Sequence, residues 1–235
     1  MNPFRIGAAA AMLQGFGLLC LTVYLGVLFP SAGISSPADF GNPAKYLPVV
    51  AAHPSWFYVP AWGFGLLADA LFLIALVALR ERLQRLNRGW TDVAVLFGAV
   101  GVTLYLVGHV VNVAWAPELI TQFSRAGTLT PATAAQYVVL SRIYNAAMLG
   151  GSLLTGIALL IVGALAIRTR VYSRAFGALS IAAGLLDAAM VVALLPPALP
   201  LTGVVLVWLG ILMWRDDWPI SLPSTGRNMT DPNTP

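Results

Sequence analysis

Apolar residues come in long blocks along this chain, and short stretches rich in arginine, proline and glycine separate the blocks. A block of about 18 or more apolar residues is long enough to cross a bilayer as a helix. Because backbone hydrogen bonds cannot be left open in lipid, every such span should be helical. The pattern therefore predicts an all-α fold, a polytopic bundle of six transmembrane helices, at about residues 7–29, 57–79, 93–116, 137–167, 174–195 and 199–214.

The basic residues predict how this bundle is oriented. Positive residues accumulate in the cytoplasmic loops of membrane proteins. Alternate loops of this chain are rich in arginine, whereas the loops between them hold only Lys45 and Arg125. Both termini are therefore expected on the cytoplasmic side of the cell's inner (cytoplasmic) membrane. The orienting residues are Arg5, Arg80, Arg82, Arg85, Arg88, Arg168, Arg170, Arg174 and Arg215.

Composition excludes a soluble domain with a polar surface. Hydrophobic residues make up 59% of the chain and charged residues 9%, against about 25% charged in soluble domains. The net charge of +4 could suggest nucleic acid, but the loop positions of the arginines point to the lipid bilayer as the partner instead. Residues 1–215 are predicted to form a single transmembrane domain, and residues 216–235 a disordered cytoplasmic tail.

Two loops on the predicted outer side are long, at residues 30–56 and 117–136. Each is expected to form a short helix or a lid over the extracytoplasmic end of the bundle.

Ionisable and amide side chains inside the predicted spans are the candidate functional residues. An ionised group that faces lipid near the bilayer centre costs at least about 2.5–3.5 kcal/mol, so these side chains should point inward and line an outer-leaflet polar cavity. Tyr105 and His109 share a helical face through their spacing of four residues. The predicted binding set is Asp69, Tyr105, His109, Asn112, Arg142, Asn145 and Asp187, with Asp69, Asp187 and His109 as candidate catalytic groups.

Arg142 has three possible environments. It can pair with Asp187, which its depth favours, or with Asp69, or it can extend its side chain to the outer headgroups. A buried pair could also serve architecture alone. His109 is expected to be a neutral imidazole bonded to Asn112 or to a backbone carbonyl.

Sequence motifs for other chemistry are missing. No spacing of His, Cys and carboxylate residues resembles a zinc site, and there is no glycine-rich phosphate loop or nucleophile elbow. No metal and no cofactor are therefore expected. The glycines within the predicted third and fourth spans are interpreted as helix-packing positions: Gly98, Gly101, Gly108, Gly150, Gly151 and Gly156.

The C-terminal half resembles a known family. The stretch LLTGIALLIVGALAIRTRVYSRAFGALSIAAGLLDAA, the Arg-x-x-Gly start at Arg174 and Gly177, and the closing LVWLGILMWR carry the likeness. They are similar to a bacterial six-span integral membrane family, the domain of unknown function 4386. The first half matches in topology, with weaker sequence likeness. The resemblance implies the six-span fold and carries no catalytic residue, since the family has no assigned activity.

Three functions are compatible with these features, and whether the protein is an enzyme stays open. The preferred interpretation is an integral membrane protein that binds or transports a small molecule or lipid through the outer-leaflet cavity. One alternative is a membrane enzyme that acts on a lipid or prenyl substrate, with Asp69 or Asp187 as the acid, as in membrane terpene cyclases. The other is a structural or accessory subunit, whose small-residue faces bind a partner. An oligomer is possible in each case.

Overall fold

The structure, a computed structural model, describes residues 3–193 and 199–215. Within these ranges the chain is almost wholly helical and contains no strand. The predicted tail at 216–235 and the end of the predicted fifth span lie outside the described residues.

The helices follow one another with short connections. The first part of the chain contains α1 (Pro3–Val23), a π-helical stretch π1 (Tyr24–Leu28), α2 (Phe29–Ser31), α3 (Pro37–Phe40), α4 (Pro43–Ala52) and α5 (Ser55–Tyr58). The remainder contains a second π-helical stretch π2 (Val59–Leu67), α6 (Ala68–Ala126), α7 (Pro131–Thr169), α8 (Arg174–Ala193) and α9 (Leu199–Arg215).

Within the described residues, four continuous helical segments are long and apolar enough to cross a membrane, which indicates a multi-pass membrane protein. They are Phe4–Ser31, Ser55–Arg85, Asn87–Ala126 and Pro131–Thr169, and Leu199–Arg215 is a shorter apolar helix. Large apolar side chains are exposed along these segments, including Leu13, Phe16, Val77 and Leu96. Such a surface suits contact with lipid and would be a liability in water.

α6 is a hairpin of two arms that meet at Asn87. This residue leaves the helical region, with φ −158° and ψ 90°, and its side-chain oxygen accepts a hydrogen bond from the backbone N–H of Trp90 at 3.2 Å. Asn87 therefore caps the second arm, which is what asparagine does well at a helix start. The two arms are also joined by the ion pair between Arg80 Nε and Asp92 Oδ1, at 2.8 Å.

Reciprocal glycines bring α7 and α8 into backbone contact. A β-carbon at Gly184 would lie 2.5 Å from the carbonyl oxygen of Gly156, and one at Gly156 would lie 2.7 Å from that of Gly184. Gly163 and Gly177 meet in the same way one heptad away. Small residues permit this close approach in membranes, where dispersion contacts replace the hydrophobic effect. The six glycines interpreted from the sequence as packing positions all lie against side chains or backbone of this chain's own helices.

The arginines named above gather at one end of the bundle. Arg5 lies over the ring of Trp214 at 5.8 Å, and Arg82 lies over the ring of Tyr172 at 4.9 Å. Both distances suit cation–π attraction. We call this side of the molecule the arginine end.

The opposite end carries a small aromatic cap. The ring of Phe29 contacts those of Phe40, Tyr46 and Trp56, and the hydroxyl of Tyr137 donates to the carbonyl of Phe40. The expectation of short helices between residues 30 and 56 is confirmed by α3 and α4. Residues 117–136 differ from the prediction of a loop, because α6 continues to Ala126 and α7 begins at Pro131.

Asp39 fixes the start of α3 in this cap. Its carboxylate accepts hydrogen bonds from the backbone N–H groups of Ser35 and Ser36 at 3.1 and 3.0 Å and pairs with the ammonium of Lys45. Lys45, followed by the Ser36 hydroxyl, holds the pKa of Asp39 well below its usual range. Burial raises the pKa of the neighbouring Tyr46 hydroxyl.

Candidate functional site

A cavity of about 180 Å³ lies among α1, π2, both arms of α6, α7, α8 and α9. Its wall is mainly apolar, with leucines from α1, α7 and α9 and the rings of Phe64 and Phe72. Its polar groups come from five helices. They are Gln14, Asp69, Tyr105, His109, Tyr144, Ser152, Thr155, Asp187 and Thr202.

Asp69 is the second residue of α6, which follows π2 directly, and only 5% of its surface is exposed. Its Oδ2 lies 3.5 Å from Nε2 of His109, which is longer than an ordinary N–H···O hydrogen bond. Gln14 of α1 lies beside the same carboxyl group. Asp69 Oδ2 and Gln14 Oε1 are both buried without a hydrogen-bond partner, although buried polar atoms are normally paired.

The imidazole ring of His109 packs against π2. A β-carbon at Gly65 would lie 2.7 Å from Cε1 and Nδ1 of the imidazole, so the ring packs directly on the glycine. The ring of Tyr144 meets it edge-on, at a centroid distance of 5.6 Å. Among the described residues, the bond of His109 to Asn112 or to a backbone carbonyl that the sequence led us to expect is not found: Nε2 lies 3.5 Å from Asp69 Oδ2, and Nδ1 has no partner.

Two prolines account for the π-helical stretches that adjoin the cavity. Proline has no N–H to donate to the carbonyl four residues earlier. Pro30, in the α2 segment that follows π1, and Pro60, within π2, therefore interrupt the α-helical hydrogen-bond ladder. Such local π-bulges are common at functional sites. The rings of Tyr24 in π1 and Phe64 in π2 are 5.7 Å apart, so the two irregular stretches touch.

Asp187 anchors the α8–α9 side of the cavity. Its Oδ2 accepts a hydrogen bond of 3.0 Å from the Thr202 hydroxyl, and the residue is 6% exposed. A β-carbon at Gly156 would lie 3.2 Å from Cβ of Asp187, so the carboxylate sits at the edge of the glycine-packed α7–α8 contact.

A cluster of hydroxyl groups completes the polar lining. Tyr105 OH lies 2.9 Å from Oγ of Ser152 and 3.3 Å from Oγ1 of Thr155. Thr155 also donates to the carbonyl of Gly151 at 2.8 Å. These groups satisfy one another, in contrast to the unpaired acceptors of Asp69 and Gln14.

Comparison with family models gives one match, to the domain of unknown function DUF4386, over residues 15–215. This match covers most of the chain. The chain belongs to the DUF4386 family. No curated protein and no solved structure matches it. In this DUF4386 protein the matched region contains every cavity-lining residue except Gln14, which lies one position before it.

The structure of this DUF4386 protein divides the residues predicted from the sequence into two groups. Asp69, Tyr105, His109 and Asp187 come together at the cavity. The other three, Asn112, Arg142 and Asn145, lie outside its lining.

Arg142 is exposed, and among the described residues it makes no ion pair with Asp187 or Asp69. The physical reason is the rotation of α7. Tyr144 faces the cavity, and a residue two positions earlier lies about 200° around the helix. Asn145, also exposed, bonds only to Ser141 Oγ, at 3.4 Å. Of the alternatives for Arg142, only a surface position agrees with this geometry.

Sequence reasoning missed Gln14, Ser152, Thr155 and Thr202. A signal for Gln14 exists in the spacing of cavity residues along α1 and π1, where Gln14, Leu18, Leu21 and Leu25 form one stripe. The hydroxyl residues give no such signal, because serine and threonine in membrane helices often bond only their own backbone.

No group of three His, Cys, Asp or Glu side chains is placed to hold a metal ion within the described part of the chain. The site combines acid, base and hydroxyl groups with a mainly apolar wall. Groups of these kinds can donate, accept and exchange protons.

Proposed function

We propose that this DUF4386 protein is a six-span inner-membrane protein, with both termini in the cytoplasm, that binds a small molecule in the intramembrane cavity. The gathering of arginines at one end supports the orientation. α8 and α9 pack beside the four long helices and supply the two further spans.

The buried polar acceptors without partners carry the proposal for binding. Leaving a buried acceptor unsatisfied costs about 1–3 kcal/mol. Asp69 Oδ2 and Gln14 Oε1 both bear this cost beside a volume of about 180 Å³. A ligand that donates hydrogen bonds to these two atoms would remove this free-energy cost.

The volume indicates the size of the molecule. A dry cavity of about 150 Å³ accommodates benzene, so the cavity of about 180 Å³ suits a compound with a single ring and a short polar arm. The apolar wall would contact the ring, and the polar groups would orient the arm.

Two leucines on α1 provide a matched test of binding. Leu18 lines the cavity, whereas Leu13 is 57% exposed on the outside of the same helix. Leu18→Phe should fill the cavity and abolish the thermal stabilisation that single-ring compounds such as benzyl alcohol or benzylamine give the purified protein. Leu13→Phe should retain it. Equal stabilisation of the two variants, or none of the unaltered protein by either compound, would refute binding in the cavity.

Orientation can be tested with introduced cysteines in a Cys20→Ser background. Ala38→Cys lies in the cap and Arg88→Cys at the arginine end, and both positions are exposed. In spheroplasts, a membrane-impermeant maleimide should label the first and spare the second. The reverse pattern would contradict the proposed topology.

A membrane enzyme is the second candidate. Both aspartates share the cavity with the rings of Phe64, Phe72, Tyr105 and Tyr144, and such rings could shelter a carbocation. The volume, close to that of a single-ring site, favours binding of a smaller molecule over a folded prenyl chain. Prenyl substrate converted by the unaltered protein, and left unconverted by Asp69→Asn or Asp187→Asn, would establish this alternative.

A further inference from the structure

We infer that the ligand is a small organic cation, an amine with a single ring or short chain, whose ammonium group binds between Asp69 and Gln14. This inference rests on the proposed binding function and names the chemical class of the ligand.

The charges around the cavity favour a cation. Among the described residues, the lining contains the carboxyl groups of Asp69 and Asp187 and the imidazole of His109, and no lysine or arginine. Lys45 pairs with Asp39 in the cap, and Arg142 is exposed on the opposite face of α7. An anion in the cavity would meet two carboxyl groups with no basic side chain beyond one imidazole.

The unpaired atoms of Asp69 and Gln14 are hydrogen-bond acceptors, which are the partners that an ammonium group needs. Asp69 Oδ2 and Gln14 Oε1 are hydrogen-bond acceptors without partners, and their residues are 5% and 3% exposed. An alkylammonium group has three donors and no acceptor. It could therefore donate to both atoms, and a charge-assisted bond to the carboxylate would be the stronger of the two.

Asp187 and the hydroxyl cluster already have partners, whereas Nδ1 of His109 is unpaired and packs against Gly65. Asp187 is engaged by Thr202, and Tyr105, Ser152 and Thr155 bond to one another. This leaves the Asp69–Gln14 corner as the place where a ligand donor is needed.

The aromatic residues suit the same ligand. Tyr105, Tyr144, Phe64 and Phe72 line the cavity, and ring faces attract cations that have lost their water. His109, whose Nε2 faces Asp69 at 3.5 Å, acts as a positioning residue for that carboxylate.

Three compounds of nearly equal size test the charge of the ligand on the full-length protein in detergent. Benzylamine is the cation, benzyl alcohol the neutral isostere and benzoate the anion. Benzylamine should bind at least roughly tenfold more tightly than benzyl alcohol by calorimetry, which corresponds to about 1.4 kcal/mol. Benzoate should bind most weakly.

Variants then locate the cation. Asp69→Asn and, independently, Gln14→Leu should each remove most of the preference for benzylamine over benzyl alcohol. Asp92→Asn makes the same change at the arginine end, where Asp92 pairs with Arg80, and should keep the preference. Gln14→Leu does not change the charge of the cavity. It provides the test if the Asp69→Asn variant does not fold.

The possible failures are distinguishable. If benzyl alcohol binds as tightly as benzylamine and Leu18→Phe abolishes both, the cavity binds ligands but the inference of a cation is wrong. The inference is also wrong if the preference for benzylamine survives both Asp69→Asn and Gln14→Leu. If neither compound binds the unaltered protein, the proposed function fails together with the inference.

Discussion

The α7–α8 contact and the cavity show two ways in which the same helices meet. Where glycines face each other, at Gly156 with Gly184 and at Gly163 with Gly177, the backbones touch and no space is left. Around the cavity, α7 presents Tyr144, Met148 and Ser152 instead, and these side chains line an open volume. Side-chain size along one helix thus separates a close-packed seam from a polar cavity.

The largest expected effect comes from breaking the close-packed seam. Gly184→Ala places a β-carbon 2.5 Å from the backbone carbonyl oxygen of Gly156, and a backbone atom cannot rotate away. Overpacking of this kind costs about 1–3 kcal/mol, and we expect the upper end. The melting temperature of the purified protein measures it.

Gly26→Ala is the matched control for this variant. No atom lies within 4 Å of a β-carbon at Gly26, and alanine stabilises helices relative to glycine by about 0.5–1 kcal/mol. A melting temperature lowered equally by both substitutions would show that the α7–α8 contact is looser than described.

The second prediction concerns the anchor of Asp187. Thr202→Val keeps the shape of the side chain but removes the hydroxyl that donates to Oδ2 at 3.0 Å. The buried carboxyl group then loses its partner, which should cost about 1–3 kcal/mol. Thr22→Val removes a hydroxyl that bonds only the carbonyl of Leu18 in its own helix, so its melting temperature should stay close to the unaltered value. Equal losses would mean that Thr202 does not support Asp187.

A third prediction separates ligand binding from folding within π2. Gly65→Ala should push the His109 ring away from Asp69, because the added β-carbon would lie 2.7 Å from two ring atoms. The ring can move, so we expect a loss of stability of only about 1 kcal/mol together with weaker binding of benzylamine. Gly63→Ala, with no atom within 4 Å of its β-carbon, should leave binding intact. Calorimetry with the two variants side by side tests this.

The sequence predicted the helices well. It did not predict which face of α7 points toward the cavity. Long apolar blocks dictate helices in lipid, and the ionisable residues Asp69, His109 and Asp187 stood out within them. Arg142 and Asn145 share a stripe, but spacing alone does not tell whether a stripe faces lipid or the interior. That choice depends on the packing of Gly151 and Gly156 against neighbouring helices, which is a property of the whole bundle.

The helical ends beyond the apolar blocks were also missed. α6 extends to Ala126 because the polar segment after Pro117 is itself a good helix, with Gln122 bonded to Glu118 at 3.2 Å. It ends where Gly127 adopts φ 67°, a left-handed conformation that glycine takes at little cost.

The smallest effect is expected in the cap, which packs separately from the cavity. The pKa of Asp39 is lower in the folded protein than its ordinary value of 3.8, so its pairing with Lys45 stabilises the fold above that pH. This stabilisation is lost as the pH falls through the still lower pKa of the folded state. Asp39→Asn should therefore lower the melting temperature slightly at pH 7 and progressively less in acid. A difference that grows in acid would have the wrong sign.

An experimental density map of the protein with benzylamine tests the central claim most directly. We predict density for one ring among the apolar side chains, with its nitrogen within hydrogen-bond distance of Asp69 Oδ2 and Gln14 Oε1. A cavity closed by its own side chains, with Asp69 paired to a basic residue of the protein, would contradict the proposed site.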